Sequence, residues 1–407
     1  MQFIENVNKE EYQEFTNNHE KSHFLQSYEW GEFSIKGKHL IPKYLGIKDE
    51  DNKLVATILL LIKKTPFGYS YAYAPRGFIL DFKNYELIKE FTNHLKKYMH
   101  DNKIIYIKID PDIKYQDIDE AGNAIENGFN NKKLYNYMLS LGYIHKGFNK
   151  LYEGNQPRYT FRINLKRPFE EVENTFSSSF KKSIKRSYNY DIVINNNGDI
   201  KTFCELNKFN SNKDNFNAYG EDYFKEFYDK FKESNNVKFF NAVIKPKELV
   251  KKFKDELNEL TKTLETVKKR KADIEEGIKR LNKDIETFSL INQDEVCVCS
   301  LICVYTNNRC WSLYIGSNEL ANLTFAVTRC YYESIKDAHS NNYDFYDLFG
   351  TTGDPKTTYK NLAHLHDFKR KFGDEYIEFI GEFDLVNNKL LYKILPTLLK
   401  VYRKIRK

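Results

Sequence analysis

One order of segments occurs twice in this chain, and it limits the fold more than any other feature. In the first occurrence, KYLGIKDEDNKLVATILLLI reads as a strand, a polar turn at 49–53 and a second strand. SYAYAPRGFILDF then passes through Arg76-Gly77, an amphipathic helix covers about 85–100, and IIYIKIDP closes as a buried strand ending at Asp110-Pro111. In the second, VKFFNAVI is a strand and VCVCSLICVYTNNRCWSLYIGS is two strands around a turn at 306–308. A helix follows at about 322–339, and YDFYDLFG closes as another buried strand. Apolar runs bounded by turn residues and followed by a helical period are the pattern of an α/β unit. Its recurrence predicts an internal duplication in an α/β (α+β) chain.

A different pattern interrupts the second copy. Phe253, Leu257, Leu260, Leu264, Val267, Ile274, Ile278, Leu281, Ile285 and Phe288 alternate four and three apart, broken only at Lys271. That is a heptad seam. A continuous helix of that length would carry the chain on the order of 60 Å away, yet the next strand begins a few residues after Phe288. The segment is therefore predicted to be an antiparallel coiled-coil hairpin, turning near 268–273 or at Gly277. Each copy around it resembles the acetyltransferase-type (GNAT) unit. The resemblance implies tandem GNAT-like domains: 1–150 the first, 151–247 with 292–395 the second, 248–291 the inserted arm, and 396–407 a basic C-terminal tail.

Composition narrows the class. The 407 residues are 41% hydrophobic and 30% charged, an ordinary globular balance with 30 Tyr and 31 Phe to fill cores. The net charge of +7 is compatible with a polyanionic partner. No run reaches the roughly 18–20 apolar residues of a membrane span, and the opening MQFIENVNKEEYQEF lacks the features of a signal peptide. A cytosolic protein is expected. Cys297, Cys299 and Cys303 share one strand face and read as small buried hydrophobes.

Standard catalytic signatures are missing. There is no G-x-S-x-G, H-E-x-x-H or P-loop. The glycine-rich pyrophosphate turn of acetyl-CoA-using GNAT enzymes is also missing, which counts against that donor. His364 and His366 read as polar loop residues rather than metal ligands. Three basic features remain. Lys181, Lys182, Lys185 and Arg186 form one helical stripe with no acidic residue among them, suited to phosphates or simply a solvated face. Lys268, Lys269, Arg270 and Lys271 lie at the predicted hairpin tip, where dense acids along the arm favour plain solvation. In NLAHLHDFKRKFGDEYIEFIGE, Phe368 and Lys369 sit on a short helix before a Gly373 turn and a strand; the ammonium could stabilise developing negative charge or hold a phosphate.

In order along the chain, SHFLQSYEWGEF, YAYAPRGFILD, YIKIDP, LGYIHKGF, QPRYTFRINL, FKKSIKRS, the helical arm, WSLYIGS and FKRKFGDEYIEFIGEFDL resemble the Fem family of aminoacyl-tRNA-dependent peptidyltransferases. The resemblance covers nearly the whole chain, and the arm makes it similar to the FemA/FemB-like branch. It implies transfer of Gly, Ala or Ser from aminoacyl-tRNA to a stem-peptide amine of a peptidoglycan precursor, with lipid II the expected acceptor. No cofactor is implied. The implied partners are the aminoacyl-tRNA, the precursor, the inner membrane face and related Fem-type proteins. An activated ester needs mainly alignment, oxyanion stabilisation and a proton acceptor. Phe368-Lys369 matches the family's Phe-Lys pair near the reacting carbonyl. Asp110 matches its strand-end Asp-Pro and is the proposed catalytic carboxylate, the alternative being a turn-forming Asp. Arg76-Gly77 matches the Arg/Lys-Gly-Pro turn, with Phe78 in place of Pro. Tyr314 falls at a pocket tyrosine that packing would equally explain. Lys36 lies near the diphosphate lysine of armless relatives, and Tyr219 stands where their arginine precedes a Tyr-Phe pair. That departure fits a lipid-linked acceptor better than a soluble nucleotide one. Two other readings stay open: another N-acyl or aminoacyl transferase, and a non-catalytic protein recruiting partners through its arm.

Overall fold

The computed structural model describes residues 1–214, 218–267 and 270–405. The first strands are β1 (Gln2–Ile4), β2 (Ile41–Lys48), β3 (Leu54–Lys64), β4 (Ser70–Ala74), β5 (Ile104–Ile109), β6 (Lys114–Gln116) and β7 (Tyr143–His145). Helices α1 (Lys9–Asn18), α2 (Tyr28–Lys38), α3 (Tyr85–Asp101) and α4 (Lys132–Ser140) are interspersed. The later strands are β8 (Tyr159–Asn164), β9 (Val193–Asn195), β10 (Val237–Ile244), β11 (Val296–Thr306), β12 (Arg309–Ser317), β13 (Phe345–Thr351), β14 (Glu375–Phe379) and β15 (Phe383–Val386). With them come α5 (Phe169–Thr175), α6 (Ser178–Ser187), α7 (Ile200–Asp214), α8 (Glu221–Lys232), α9 (Pro246–Thr266), α10 (Lys271–Ser289), α11 (Leu320–Thr324), α12 (Ala326–Ser340), α13 (Lys360–Arg370) and α14 (Lys389–Ile405).

Two mixed sheets result, in the orders β1-β2-β3-β4-β5-β15-β7 and β6-β14-β8-β13-β12-β11-β10-β9. They repeat one pairing pattern. β1 through β4 pair antiparallel, β4 and β5 pair parallel, and β15 and β7 continue antiparallel. Likewise β9 through β12 pair antiparallel, β12 and β13 pair parallel, and β8 and β14 continue antiparallel. In both, helical segments make the crossover that a parallel pair requires: α3 in one, α11 and α12 in the other. This is the internal duplication expected from the repeated segment order. The sheets also trade strands, since β6 lies in the second sheet and β15 in the first.

Local chemistry explains the elements. The 56–62 stretch of β3 is buried throughout, which suits a continuous apolar run in mid-sheet. Asn84 caps α3 by accepting the Leu87 N–H at 3.0 Å, and Leu87, Ile88, Phe91, Leu95 and Met99 turn inward at helical spacing. A third apolar cluster joins the sheets: Leu59 and Leu61 of β3 pack in one group with Val304 of β11 and Trp311 of β12.

The inserted segment is a pair of antiparallel helices, α9 and α10. Phe253 and Phe288 meet at its foot with ring centroids 6.2 Å apart, and Leu260 lies against Gly277 farther out. α9 ends at Thr266 and α10 begins at Lys271, preceded by Arg270 at φ 65°, so the interval between the helices overlaps the predicted 268–273. Gly277, the alternative turn site, is inside α10. Lys268 and Lys269 of the basic tip lie outside the described residues. The basic segment from 396 onward belongs to α14, which runs helically through Pro396. The six cysteines are free. His364 and His366 are helical rather than loop residues: His366 is buried on α13, with Nδ1 3.3 Å from the Thr351 hydroxyl, because the helix begins before them. Among the described residues, no helix is long and apolar enough to cross a membrane.

Candidate active site

β4 and β5 run parallel, and the chain leaving their C-terminal ends carries Arg76 and Asp110. Gln26 shapes the first of these exits. Its buried carboxamide donates to Pro75 O at 2.8 Å and accepts the Leu59 N–H at 2.8 Å, clamping the turn to β3. Arg76 adopts φ 55°, which aims its own N–H at Asp110 Oδ1, 2.6 Å away. Tyr73 Oη donates to Asp110 Oδ2 at 2.7 Å. Asp110 is 2% exposed, and burial pushes its carboxyl up to about 6, against the Arg76 charge and these two donors. It lines a small, largely enclosed pocket of about 10 Å³ with Arg76, Arg158, Phe379, Gly381 and Glu382.

The Arg76 side chain crosses to the second half of the molecule. Its guanidinium donates to Pro157 O at 2.7 Å and lies 4.3 Å from the centre of the Phe379 ring. Pro157 abuts Gly350 so closely that a Cβ there would sit 2.2 Å from Pro157 Cγ, which requires glycine. Gly350 O in turn accepts from Lys369 Nζ at 2.7 Å, and Phe349 O accepts from it at 3.1 Å. A continuous path of contacts therefore joins Asp110 to Lys369. The lysine is 6% exposed, and burial pulls its ammonium down to about 7 against the attraction of Asp347. Two groups of opposite charge type are thus both poised to titrate near neutrality, a property typical of working sites.

Beneath this path lies a charged network the sequence did not single out. Arg162 donates through Nη2 to both oxygens of Asp112, at 2.8 and 2.7 Å, and through Nε to Asp347 at 2.7 Å. Burial opposes ionisation of Asp112, but Arg162 and Arg309 overcome it and hold the carboxyl well below the usual range. Burial pulls the Arg309 guanidinium down to about 10 despite Asp112. The available signal was a charged residue inside an apolar strand, as in TFRIN and FYDLF. Such a residue needs a buried partner.

The remaining expected site residues fall into separate groups. Neither Phe368 nor Lys369 lines the Asp110 pocket; the Phe368 ring packs on Tyr331 at 5.6 Å and Phe372 at 5.2 Å. Tyr219 stacks on Tyr223 at 3.9 Å, and the Tyr223 and Tyr314 hydroxyls are 2.9 Å apart, forming a tyrosine cluster at α8 and β12. Lys36 is on α2, with its exposed ammonium 3.9 Å from Glu226 of α8. Lys181, Lys182, Lys185 and Arg186 all face solvent on α6, while Phe180 and Ile184 on its other face are buried. That helix is tied to the end of α13: the Ser177 N–H donates to Lys371 O at 2.7 Å.

Comparison with known proteins agrees with this architecture. The lipid II:glycine glycyltransferase of Staphylococcus aureus strain MSSA476 is 26% identical over 413 residues, covering 96% of this chain and 94% of that protein. Its counterpart from strain NCTC 8325 / PS 47 is 25% identical with the same coverage. Among solved structures, FemX matches with a TM-score of 0.78 at 23% identity, over 97% of this chain and 99% of that one. That likeness establishes the shared fold. The FemAB family model matches residues 7–400, and with nearly the whole chain inside that match, the protein belongs to the FemAB family.

Proposed function

We propose that this protein is an aminoacyltransferase that moves Gly, Ala or Ser from aminoacyl-tRNA to the stem-peptide amine of a lipid-linked peptidoglycan precursor. The observation that carries the reading is the joined pair of buried, near-neutral groups: Asp110 in its small pocket, and Lys369 of α13 on the carbonyls at the end of β13. Family membership and the glycyltransferase relatives support it.

In this reading, the acceptor ammonium gives a proton to the Asp110 carboxylate and the free amine attacks the ester carbonyl. A C–N bond forms and a tetrahedral oxyanion develops. Lys369 keeps two of its three donors on Phe349 O and Gly350 O, and in this reading the protonated ammonium offers the remaining one to that oxygen. Collapse breaks the ester C–O bond as the attacking nitrogen, cationic in the intermediate, gives up a proton and the departing tRNA oxygen takes it, leaving an amide and a free hydroxyl. Arg76 fixes Asp110 through its backbone N–H and braces the two halves through Pro157. The α6 stripe supplies the phosphate-binding face for tRNA, and Lys36, Tyr219 and Tyr314 contribute to the acceptor side.

The test is incubation with lipid II and a panel of glycyl-, alanyl- and seryl-tRNA, followed by mass measurement of the acceptor. The expected result is the mass of one added residue with one of the three. An unchanged acceptor with every charged tRNA would reject the proposal.

A further inference from the structure

Helix α14 has two apolar faces, and only one of them meets the protein. Leu391, Leu395, Leu398 and Tyr402 turn inward and are buried or half-buried. On the other side, Leu390 is 70% exposed, Ile394 39% and Val401 51%. At 3.6 residues per turn, positions 390, 394, 397 and 401 form a single line along the helix. Lys389, Lys393, Lys400 and Lys404, all exposed, form a second line directly beside it. No Asp or Glu occurs between 385 and 407.

A distant segment brings the same chemistry to the same place. The turn between β3 and β4 exposes Lys63, Lys64, Phe67 and Tyr69, and the Phe67 ring meets Tyr402 edge-on at 6.2 Å. No acidic residue lies between 54 and 80. In both segments aliphatic and aromatic groups thus stand in water beside lysines, with no acidic residue of the same segment among them.

We infer that α14 and the β3–β4 turn form a docking surface for an anionic phospholipid bilayer, lying on the membrane without crossing it. A nucleic acid would use the lysines but leave the aliphatic line in water. A second copy of the same face would set lysines against lysines. An anionic bilayer answers both features, taking Leu390, Ile394, Val401 and Phe67 into its acyl boundary and the lysines at its phosphates. The position also suits the work. Tyr392 Oη donates to Asp384 at 2.6 Å, Lys108 bridges Asp384 at 3.0 Å and Glu382 at 2.9 Å, and Glu382 lines the Asp110 pocket. One ion-pair network thus anchors the docking helix beside the pocket. The purpose of the surface rests on the proposed lipid-linked acceptor; its existence does not.

The experiment is flotation of the full chain with vesicles of phosphatidylcholine alone or mixed with anionic phosphatidylglycerol. Binding to the mixed vesicles only, weakening as salt is raised, is expected. Leu390→Asp with Val401→Asp should weaken it on the order of tenfold or more, with circular dichroism and Tm unchanged, and Lys393→Glu with Lys400→Glu should do the same. Failure of the wild type to float with anionic vesicles at low salt would overturn the inference, as would equal flotation of both double variants. A dimer abolished by Leu390→Asp with Val401→Asp, in a chain that binds no vesicle, would assign the face to a second copy and overturn it too. Because the vesicles contain neither acceptor nor tRNA, a chain that floats yet never transfers an amino acid would reject the enzymatic reading and leave the docking surface standing.

Discussion

Asp110 and Lys369 set the pH behaviour expected of the enzyme. In the proposed mechanism Asp110 is needed as a carboxylate, above about 6, and Lys369 as an ammonium, below about 7. Turnover should therefore peak between these values, falling on the acid side as Asp110 is protonated and on the basic side as Lys369 is neutralised. A kcat/KM profile flat from pH 5 to 8 would contradict this assignment. Asp110→Asn should lose the acid limb and on the order of 100-fold or more in rate. Lys369→Met should lose the basic limb and a comparable factor. The stability sign for Lys369 is distinct. The native lysine releases its proton near 7, whereas an unfolded one holds it to about 10.5, so the unfolded chain binds more protons in between. Wild-type stability then rises with pH across that window, and in Lys369→Met that slope should disappear in pH-dependent denaturation curves. Wild-type turnover in the Met variant would remove Lys369 from the mechanism.

Helices α6, α9 and α10 divide into buried faces and exposed faces, and each division can be tested. Lys181→Glu with Lys185→Glu leaves Phe180 and Ile184 in the core and should weaken tRNA binding about tenfold or more, with a shallower dependence on salt. Unchanged affinity would make the stripe an ordinary solvated face. In the hairpin, Leu249, Phe253, Leu281 and Phe288 are buried at the foot, while no described residue from 258 to 279 is. Replacing 258–279 with a short Gly-Ser turn should therefore shift Tm by no more than about 3 °C; a larger fall would mean that the outer arm stabilises the body. These elements were legible because each carries its own period: four-and-three spacing for the arm, an apolar line opposite the lysines for α6, continuous apolar runs for β3 and β11. Strands β6 and β15 were not. KYQ and FDLV are too short to show a period, and what pairs them is the sheet edge they reach. Arg76 and Asp110 could be named from the resemblance, but their hydrogen bond depends on the positive φ at Arg76. The Asp112–Arg162–Asp347 set joins residues remote in sequence, which no local spacing reveals.

The molecule as a unit is defined by what its halves share. β6 and β15 each complete the other half's sheet, Arg162 ties Asp112 of one half to Asp347 of the other, and β3 packs with β11 and β12 in a common apolar cluster. Calorimetry should show one heat-absorption peak; two separable peaks would mean the halves melt independently. The strand exchange also governs synthesis. The edge of β5 finds its partner only when Phe383–Val386 has been translated, long after Ile104–Ile109. At about 5–20 residues per second, the nascent first sheet waits on the order of tens of seconds with a row of unpaired peptide groups. A chain of this design exposes that edge throughout the interval, and truncation before Phe383 would leave the earliest-made part of the protein unfinished.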